Sequence, residues 1–222
     1  MATRRLNNRY EILETLGRGG FGETFLACDH HLPSARQCVI KHLKPVIEAS
    51  KTPQWLEDRF AREAAILEEL GEAHEQIPNL YAYFNEGKDF YLVQEWIPGS
   101  TLQDLQEKRG NLSESEVLKI LLEILPILEF IHHRRIIHRD IKPDNIILRQ
   151  GDQCPVLIDF GIIKETIGTL VNPDGRSAYS VALGTPGYMA SEQAAGRPVY
   201  SSDLYSLGLT AIFLLTGKSP QY

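Results

Sequence analysis

Cysteine is scarce in this chain of 222 residues: Cys28, Cys38 and Cys154 make up the whole set. The number is odd and no two stand at Cys-x-x-Cys spacing, which argues against a disulfide framework or a thiolate zinc site and fits a reducing cytoplasm. The seven histidines include His30-His31 and His132-His133 but no His-x3-His pair, so they form no helical metal motif either. No run of about 18 apolar residues occurs, so this stretch holds no membrane-spanning helix. Arg4-Arg5 is not followed by the apolar segment that a twin-arginine leader requires. Basic charge is also short: 23 Lys and Arg stand against 29 Asp and Glu, a net charge of −6, where a general nucleic-acid binder leans basic. Internal repeats and low-complexity tracts are lacking. The composition is otherwise that of a folded protein, with 43% hydrophobic, 23% charged and 9% aromatic residues. A chain this long buries roughly 70–75% of its extended surface, enough for one large domain or two small lobes.

The first ninety residues read as strands around one helix. Residues 10–16 lead into a glycine cluster, and 24–28 and 37–42 are short apolar runs with β-branched or aromatic side chains. Thr52-Pro53 supplies a hydroxyl cap and a proline at the first helical position, predicting a helix to about Leu70 with Gly71 as its stop. Two more strands, 80–84 and 90–95, flank the turn Asn85-Glu86-Gly87-Lys88. Pro98-Gly99 then breaks the chain, dividing it into a unit of strands, 1–97, and a mainly helical unit, 98–222. In the second unit Ser113-x-x-Glu116 forms a capping box that opens a helix to about His133. That helix is apolar nearly all round and reads as buried, with a kink at Pro126. Short strands follow at 146–148 and 156–158, then a long surface loop over 162–184 with Asn172-Pro173-Asp174-Gly175 at its tip. A last helix runs from about Ser202 to Thr216 and ends at Gly217.

Three groups of residues carry chemistry. Gly17-Arg18-Gly19-Gly20-Phe21-Gly22 fits Gly-x-Gly-x-x-Gly, which lets backbone amides approach a phosphate with no Cβ in the way. A dinucleotide-binding fold needs a helix directly after the glycines, whereas Thr24-Phe25-Leu26-Ala27 reads as strand, so the loop folds as a hairpin. Lys41 ends an apolar strand 19 residues after Gly22. Glu63 falls on the apolar stripe Leu56, Phe60, Leu67, Leu70 of the predicted helix, and a carboxylate on a buried face needs a cation, for which Lys41 is the candidate. His138-Arg139-Asp140-Ile141-Lys142-Pro143-Asp144-Asn145 is the densest polar cluster, and Asp159 follows Asn145 by 14 residues at the end of an apolar strand. Hard oxygen ligands, a lysine and a phosphate cradle point to magnesium with a polyphosphate.

In this order the motifs resemble the protein kinase family, specifically the eukaryotic-like serine/threonine kinases also found in bacteria, from about Tyr10 to the end of the chain. The resemblance implies an α+β, bilobal fold: an antiparallel sheet with one helix, then a mainly helical lobe lacking its last helices. It implies ATP and Mg²⁺ as cofactors and protein serine or threonine hydroxyls as substrates. Gly17, Gly19 and Gly22 would cover the phosphates, with Thr24 and Val39 above the adenine and Leu148 beneath it. Gln94 would be the gatekeeper, and the Glu95 carbonyl and Ile97 amide would bind the adenine edge. Lys41, paired to Glu63, would hold the α- and β-phosphates. Asp140 would accept the hydroxyl proton, Lys142 would stabilise the moving phosphoryl group, and Asn145 and Asp159 would hold the metal ions. Lys142 and Gly184-Thr185-Pro186-Gly187-Tyr188 match the serine/threonine type, with Thr185 meeting Asp140 and Lys142. Arg139 implies control by phosphorylation at Thr166, Thr169, Ser177 or Ser180. Self-phosphorylation and dimerisation are candidate behaviours, no nucleic-acid partner is implied, and the cytoplasm is the expected location.

Departures from the family pattern are few. Thr24 stands for the usual valine, Val39 for alanine, and Ala190-Ser191-Glu192 for Ala-Pro-Glu. The family's domain continues past the point where Tyr222 ends this chain, and its later helices supply an arginine to the Glu192 position and cover the helix of Ile212, Phe213, Leu214 and Leu215. The expectation is a fragment or a short form that needs a partner, with an exposed apolar patch. The competing reading is an ATP-binding pseudokinase without turnover. The complete set Lys41, Glu63, Asp140, Asn145 and Asp159 weighs against it. A small-molecule kinase is disfavoured by residues 184–192, which suit a peptide.

Overall fold

A computed structural model describes residues 5–19, 22–44, 54–161 and 184–220, together with the backbone of 170–171 and 177–179. Thr52-Pro53, the tip at 172–175 and the hydroxyls of Thr166, Thr169 and Ser180 lie outside the described residues, as does the side chain of Ser177.

Five antiparallel strands make the first layer: β1 (Tyr10–Gly19), β2 (Gly22–Asp29), β3 (Arg36–Leu43), β4 (Leu80–Glu86) and β5 (Asp89–Glu95), in the order β1-β2-β3-β5-β4. Strand parity decides which side chains share a face. Phe90, Leu92 and Leu43 pack into the main core with helix α1 (Gln54–Ala73), while Tyr91, Val93, Ile40, Cys38 and Tyr10 form a second cluster. Lys41 lies between Ile40 and His42 and pairs across to Thr24 and Leu92, so it shares the α1 side with Val39 and Leu43. The hairpin β4-β5 closes on Gly87-Lys88 alone, tighter than the four-residue turn read from sequence.

Helix α1 buries Leu56, Phe60, Glu63, Ala64, Leu67 and Leu70, the predicted stripe. Each large apolar side chain on it contributes roughly 1.5–3 kcal/mol of burial. Gly71 does not stop the helix, which continues to Ala73. A Cβ at Gly71 would sit 2.7 Å from the Pro78 carbonyl oxygen and 2.8 Å from Asn79 Cα, so this glycine serves close packing of helix on chain rather than termination.

Beyond β5 the chain forms β6 (Gly99–Thr101), which pairs with β7 (Ile146–Arg149), itself paired to β8 (Pro155–Leu157). Helix α2 (Leu102–Arg109), absent from the sequence reading, opens on a capping box between Thr101 and Asp104. Helix α3 (Glu114–His133) opens on the predicted Ser113–Glu116 box and runs through Pro126. It is not buried all round: Val117, Ile120, Ile124, Ile127, Leu128 and Ile131 face the core, but Leu118, Leu122 and Leu125 form an exposed stripe at four- and three-residue spacing. A 3-10 turn follows at Pro143–Asn145. Within the stretch read as loop, β9 (Leu170–Val171) and β10 (Ser177–Tyr179) pair antiparallel. Helices α4 (Ser191–Ala194) and α5 (Tyr200–Thr216) complete the fold, the latter stopped by Gly217 at φ 69° as expected. On α5 Phe213 and Leu214 are buried, and Ile212 and Leu215 are exposed. One contiguous core runs from Phe60 on α1 through Ile124 on α3 to Leu207 on α5. The architecture is α+β and bilobal. The three cysteines are free, and among the described residues no helix is long and apolar enough to cross a membrane.

Candidate active site

The polar cluster 138–145 is held from below by Asp203 in the first turn of α5. Its carboxylate is 1% exposed and accepts three hydrogen bonds: Oδ2 from the His138 amide (2.9 Å) and from His132 Nε2 (2.8 Å), and Oδ1 from the Arg139 amide (2.9 Å). With its backbone so anchored, Arg139 takes a left-handed φ of 69°. Such conformations persist where surrounding contacts overdetermine them, commonly at functional sites. His138 is fully buried, with its Nε2 3.0 Å from the Ile158 carbonyl oxygen and its Nδ1 3.3 Å from the Asp140 amide. Nε2 therefore donates and Nδ1 accepts. Its ring packs on Phe160 at 4.5 Å, and the Gly161 amide donates to the His138 carbonyl at 2.9 Å. These contacts lash the segment around Asp159 to the cluster, and Asp159 too is left-handed at φ 62°.

Asp140 is 5% exposed. Asn145 Nδ2 donates both to its main-chain carbonyl (2.7 Å) and to its Oδ2 (3.0 Å), while Thr185 Oγ1 donates to Oδ1 at 2.8 Å. The expected Thr185–Asp140 contact is thus present. The double donation fixes the Asn145 amide nitrogen, and its carboxamide oxygen accepts from no described residue, as a hard-cation ligand requires. Lys142 Nζ lies 4.0 Å from Asp144.

Lys41 does not meet Glu63 in this conformation. Its ammonium pairs with Asp159, while Glu63 Oε1 takes Arg59 Nε at 3.3 Å. Lys41 shares the expected side of the sheet and Glu63 the expected stripe, and in this structure each pairs with a group other than the one named from sequence. Arg59 stands one helical turn before Glu63, a spacing that favours such pairs.

Gly22 has a φ of 144°, and a Cβ there would stand 1.8 Å from the His42 carbonyl oxygen, so the fold itself demands glycine. Gly17 and Gly19 differ: among the described residues nothing lies within 4 Å of a Cβ at either. Packing among the described residues does not explain them. Thr24 and Val39 lie on the Lys41 side of the sheet by register. The Glu95 carboxylate is occupied by Asn79, through Nδ2 at 2.8 Å and the amide at 3.2 Å. Ile97 is buried, and its amide donates to no described residue. Gln94 is buried, and Leu148 packs partly buried against the main core.

Sequence reasoning missed two supports. Gln193 Nε2 donates to the Arg139 carbonyl at 2.6 Å, and Ser202 Oγ donates to Glu192 Oε1 at 2.6 Å. The Ser202 bond holds the Glu192 carboxyl below its ordinary pKa. It occupies an oxygen of the carboxylate for which the sequence reading expected an arginine. Burial alone could have flagged neither, because both depend on residues 10 or more positions apart. Burial, with a lesser effect of Asp144, pushes the Tyr188 hydroxyl up to about 12, so it stays protonated.

The protein kinase domain family matches residues 10–222. Serine/threonine-protein kinase C of Synechocystis sp. is 78% identical over 98% of this chain and 41% of its own length. Serine/threonine-protein kinase PknA of Nostoc sp. is 61% identical over 97% of this chain and 38% of its own length. The chain therefore spans about two fifths of the length of the curated relatives it matches. Among solved structures, Rad53 1–466 in complex with AMP-PNP superimposes with a TM-score of 0.72 at 25% identity, covering 96% of this chain and 50% of that one.

Proposed function

The chain belongs to the protein kinase domain family, and from that premise we propose that it is the catalytic part of a serine/threonine protein kinase that transfers the ATP γ-phosphoryl group to protein hydroxyls. The observation that carries the reading is the convergence on Asp140 of Asn145, from its own loop, and Thr185, from 45 positions away. The name of the Rad53 complex, which holds an ATP analogue, supports a nucleotide in the cleft. So do the open space at Gly17 and Gly19 and the Ile97 amide, which donates to no described residue.

In this proposal the chain divides at Pro98, and the cleft lies between the two parts. Gly17, Gly19 and Gly22 leave room for the phosphates, Thr24, Val39 and Leu148 line the adenine site, and the Glu95 carbonyl and Ile97 amide read its edge. Asn145 and Asp159 would hold Mg²⁺, which supplies charge neutralisation at the phosphates when bound. Asp140 orients the substrate hydroxyl and accepts its proton as the oxygen bonds to the γ-phosphorus and the β,γ-bridging bond breaks. Lys142 and Lys41 stabilise charge on the transferred and remaining phosphates. Substrates are proteins bearing serine or threonine, the chain itself among them. The free thiols suit a reducing cytoplasm.

The test is Mg²⁺-dependent transfer of labelled γ-phosphate to the protein itself and to a generic basic protein. Wild type should incorporate label, and Asp140→Asn should lower the rate by about 10²-fold or more. Equal incorporation by the two, or ATP binding with no transfer by wild type, would overturn it.

A further inference from the structure

The peptide that joins Arg139 to Asp140 is held at both of its polar atoms. Its amide, that of Asp140, donates to His138 Nδ1 at 3.3 Å. Its carbonyl, that of Arg139, accepts from Gln193 Nε2 at 2.6 Å. The two holds differ in origin: His138 belongs to the same loop, whereas Gln193 stands 54 positions after Arg139, on the short helix α4. Gln193 is 3% exposed, so water does not compete for this bond. Arg139 is left-handed at φ 69°, a region that a residue with a Cβ seldom adopts unaided. Asp203 fixes its amide at 2.9 Å and Gln193 its carbonyl, one on each side of the strained residue that precedes Asp140.

The same carboxamide meets the chain that leads to Thr185. A Cβ at Gly184 would stand 2.6 Å from Gln193 Nε2 and 3.0 Å from the Arg139 carbonyl oxygen, and Gly184 has a φ of 140°. Thr185, the next residue, donates its hydroxyl to Asp140 Oδ1 at 2.8 Å. The side chain that bonds the main chain before Asp140 therefore also lies against the main chain before the hydroxyl that bonds the Asp140 carboxylate. We infer that Gln193 is a positioning residue for the proposed transfer: it sets the Arg139–Asp140 peptide and, through Gly184, keeps the Thr185 hydroxyl on the same carboxylate. The role rests on the kinase reading above, in which the direction of the Asp140 carboxylate sets the rate. A purely structural glutamine governs stability alone. A positioning one governs kcat, while ATP affinity, which that reading assigns to the glycine-rich hairpin and residues 95–97, stays. Misplacing a reacting group by about 1 Å costs about 10²-fold in rate, which bounds the effect of losing one of the two holds.

The experiment compares wild type with Gln193→Met, which keeps the length and removes the donor, with Gln193→Asn, which withdraws the donor by one methylene, and with Gln193→Met in the Asp140→Asn background. Transfer from Mg²⁺-ATP to the generic basic protein gives kcat and the KM for ATP. Calorimetry with a non-hydrolysable ATP analogue and Mg²⁺ gives affinity without turnover, and urea midpoints report folding. Both single variants should lose about ten- to a hundredfold in kcat. Their KM for ATP and their analogue affinity should stay within about twofold of wild type. In the Asp140→Asn background Gln193→Met should change the residual rate by less than about twofold, because the group it positions is already gone. A folded variant with wild-type kcat overturns the role of Gln193. So does a raised KM at unchanged kcat, or an equal loss in the Asp140→Asn background. Gln193→Asn carries the test if the methionine variant does not fold, and if neither folds the residue is structural and the positioning role falls. Transfer by wild type in any of these cases leaves the kinase reading standing, whereas no transfer by wild type overturns that reading and the role of Gln193 with it.

Discussion

Replacing Asp203 with alanine removes the acceptor of two main-chain amides and one imidazole at the base of the loop carrying Asp140. His138 is fully buried, so water cannot take over at its amide. An orphaned buried donor costs about 1–3 kcal/mol, and Arg139, whose amide is the second, is itself half-buried. His132 keeps 15% side-chain exposure and recovers part of its loss from solvent. The sum is about 3–5 kcal/mol, in the range for breaking a buried charged hydrogen-bond network. Asp203→Asn preserves shape and one carbonyl oxygen but turns the donating NH2 of its carboxamide toward other donors, so it should fall between alanine and wild type. Urea unfolding followed by the fluorescence of Trp55 and Trp96 and by far-ultraviolet circular dichroism measures the difference. If the alanine variant unfolds within about 1 kcal/mol of wild type, the anchoring account is wrong.

The glycine-rich hairpin should separate stability from binding: Gly22→Ala, whose Cβ meets the His42 carbonyl at 1.8 Å, should lose about 2–4 kcal/mol in urea titration. Gly17→Ala, built into open space, should unfold like wild type yet bind the ATP analogue at least tenfold more weakly. Near the start of the chain, the Arg9 guanidinium bonds both oxygens of buried Asp29 and holds its carboxyl below the usual range. A depressed carboxyl contributes its stability above about pH 4 and loses it as pH falls through the folded value. The stability gap between wild type and Arg9→Ala should therefore close as the solution is acidified below about pH 4, and a constant gap down to about pH 2 would refute it.

Much of the site was legible because strand parity and helix periodicity are geometric. Lys41 had to share a side with Val39 and Leu43, and Glu63 had to share a stripe with Phe60 and Leu67. The motif at 138–145 was legible from its density of polar residues between apolar runs. The pairing of Glu63 was not, because Arg59 at one turn and Lys41 across the sheet satisfy the same requirement for a cation, and only packing selects between them. Helix α2 escaped because it buries Leu102 alone, although Thr101-x-x-Asp104 is a readable cap. Gly71 misled because a close approach to Pro78 and a helix stop demand the same residue. The exposed Leu118, Leu122 and Leu125 defeated a reading that equated apolar with buried.

The site is assembled from two kinds of contact, and the difference governs what can change in it. Asp203, Asn145, Thr185 and Gln193 hold the Asp140 loop by hydrogen bonds of 2.6–3.0 Å, in several cases to buried main-chain groups. Breaking any of the buried ones strands a polar group away from water, so this platform has no inexpensive alternative arrangement. Lys41, Asp159, Glu63 and Arg59 are joined by ion pairs whose members, Glu63 excepted, are 17–37% exposed. Water can stand in for the lost partner of Lys41, Asp159 or Arg59, so exchange at these exposed members costs about 1 kcal/mol or less. Entry of a polyanion with its cation should therefore rearrange the pairs on β3, α1 and Asp159 while leaving the Asp140 platform fixed. Hydrogen exchange with and without the Mg²⁺ analogue complex should place the larger change in α1 and not at His138 or Arg139, whose amides are bonded to Asp203.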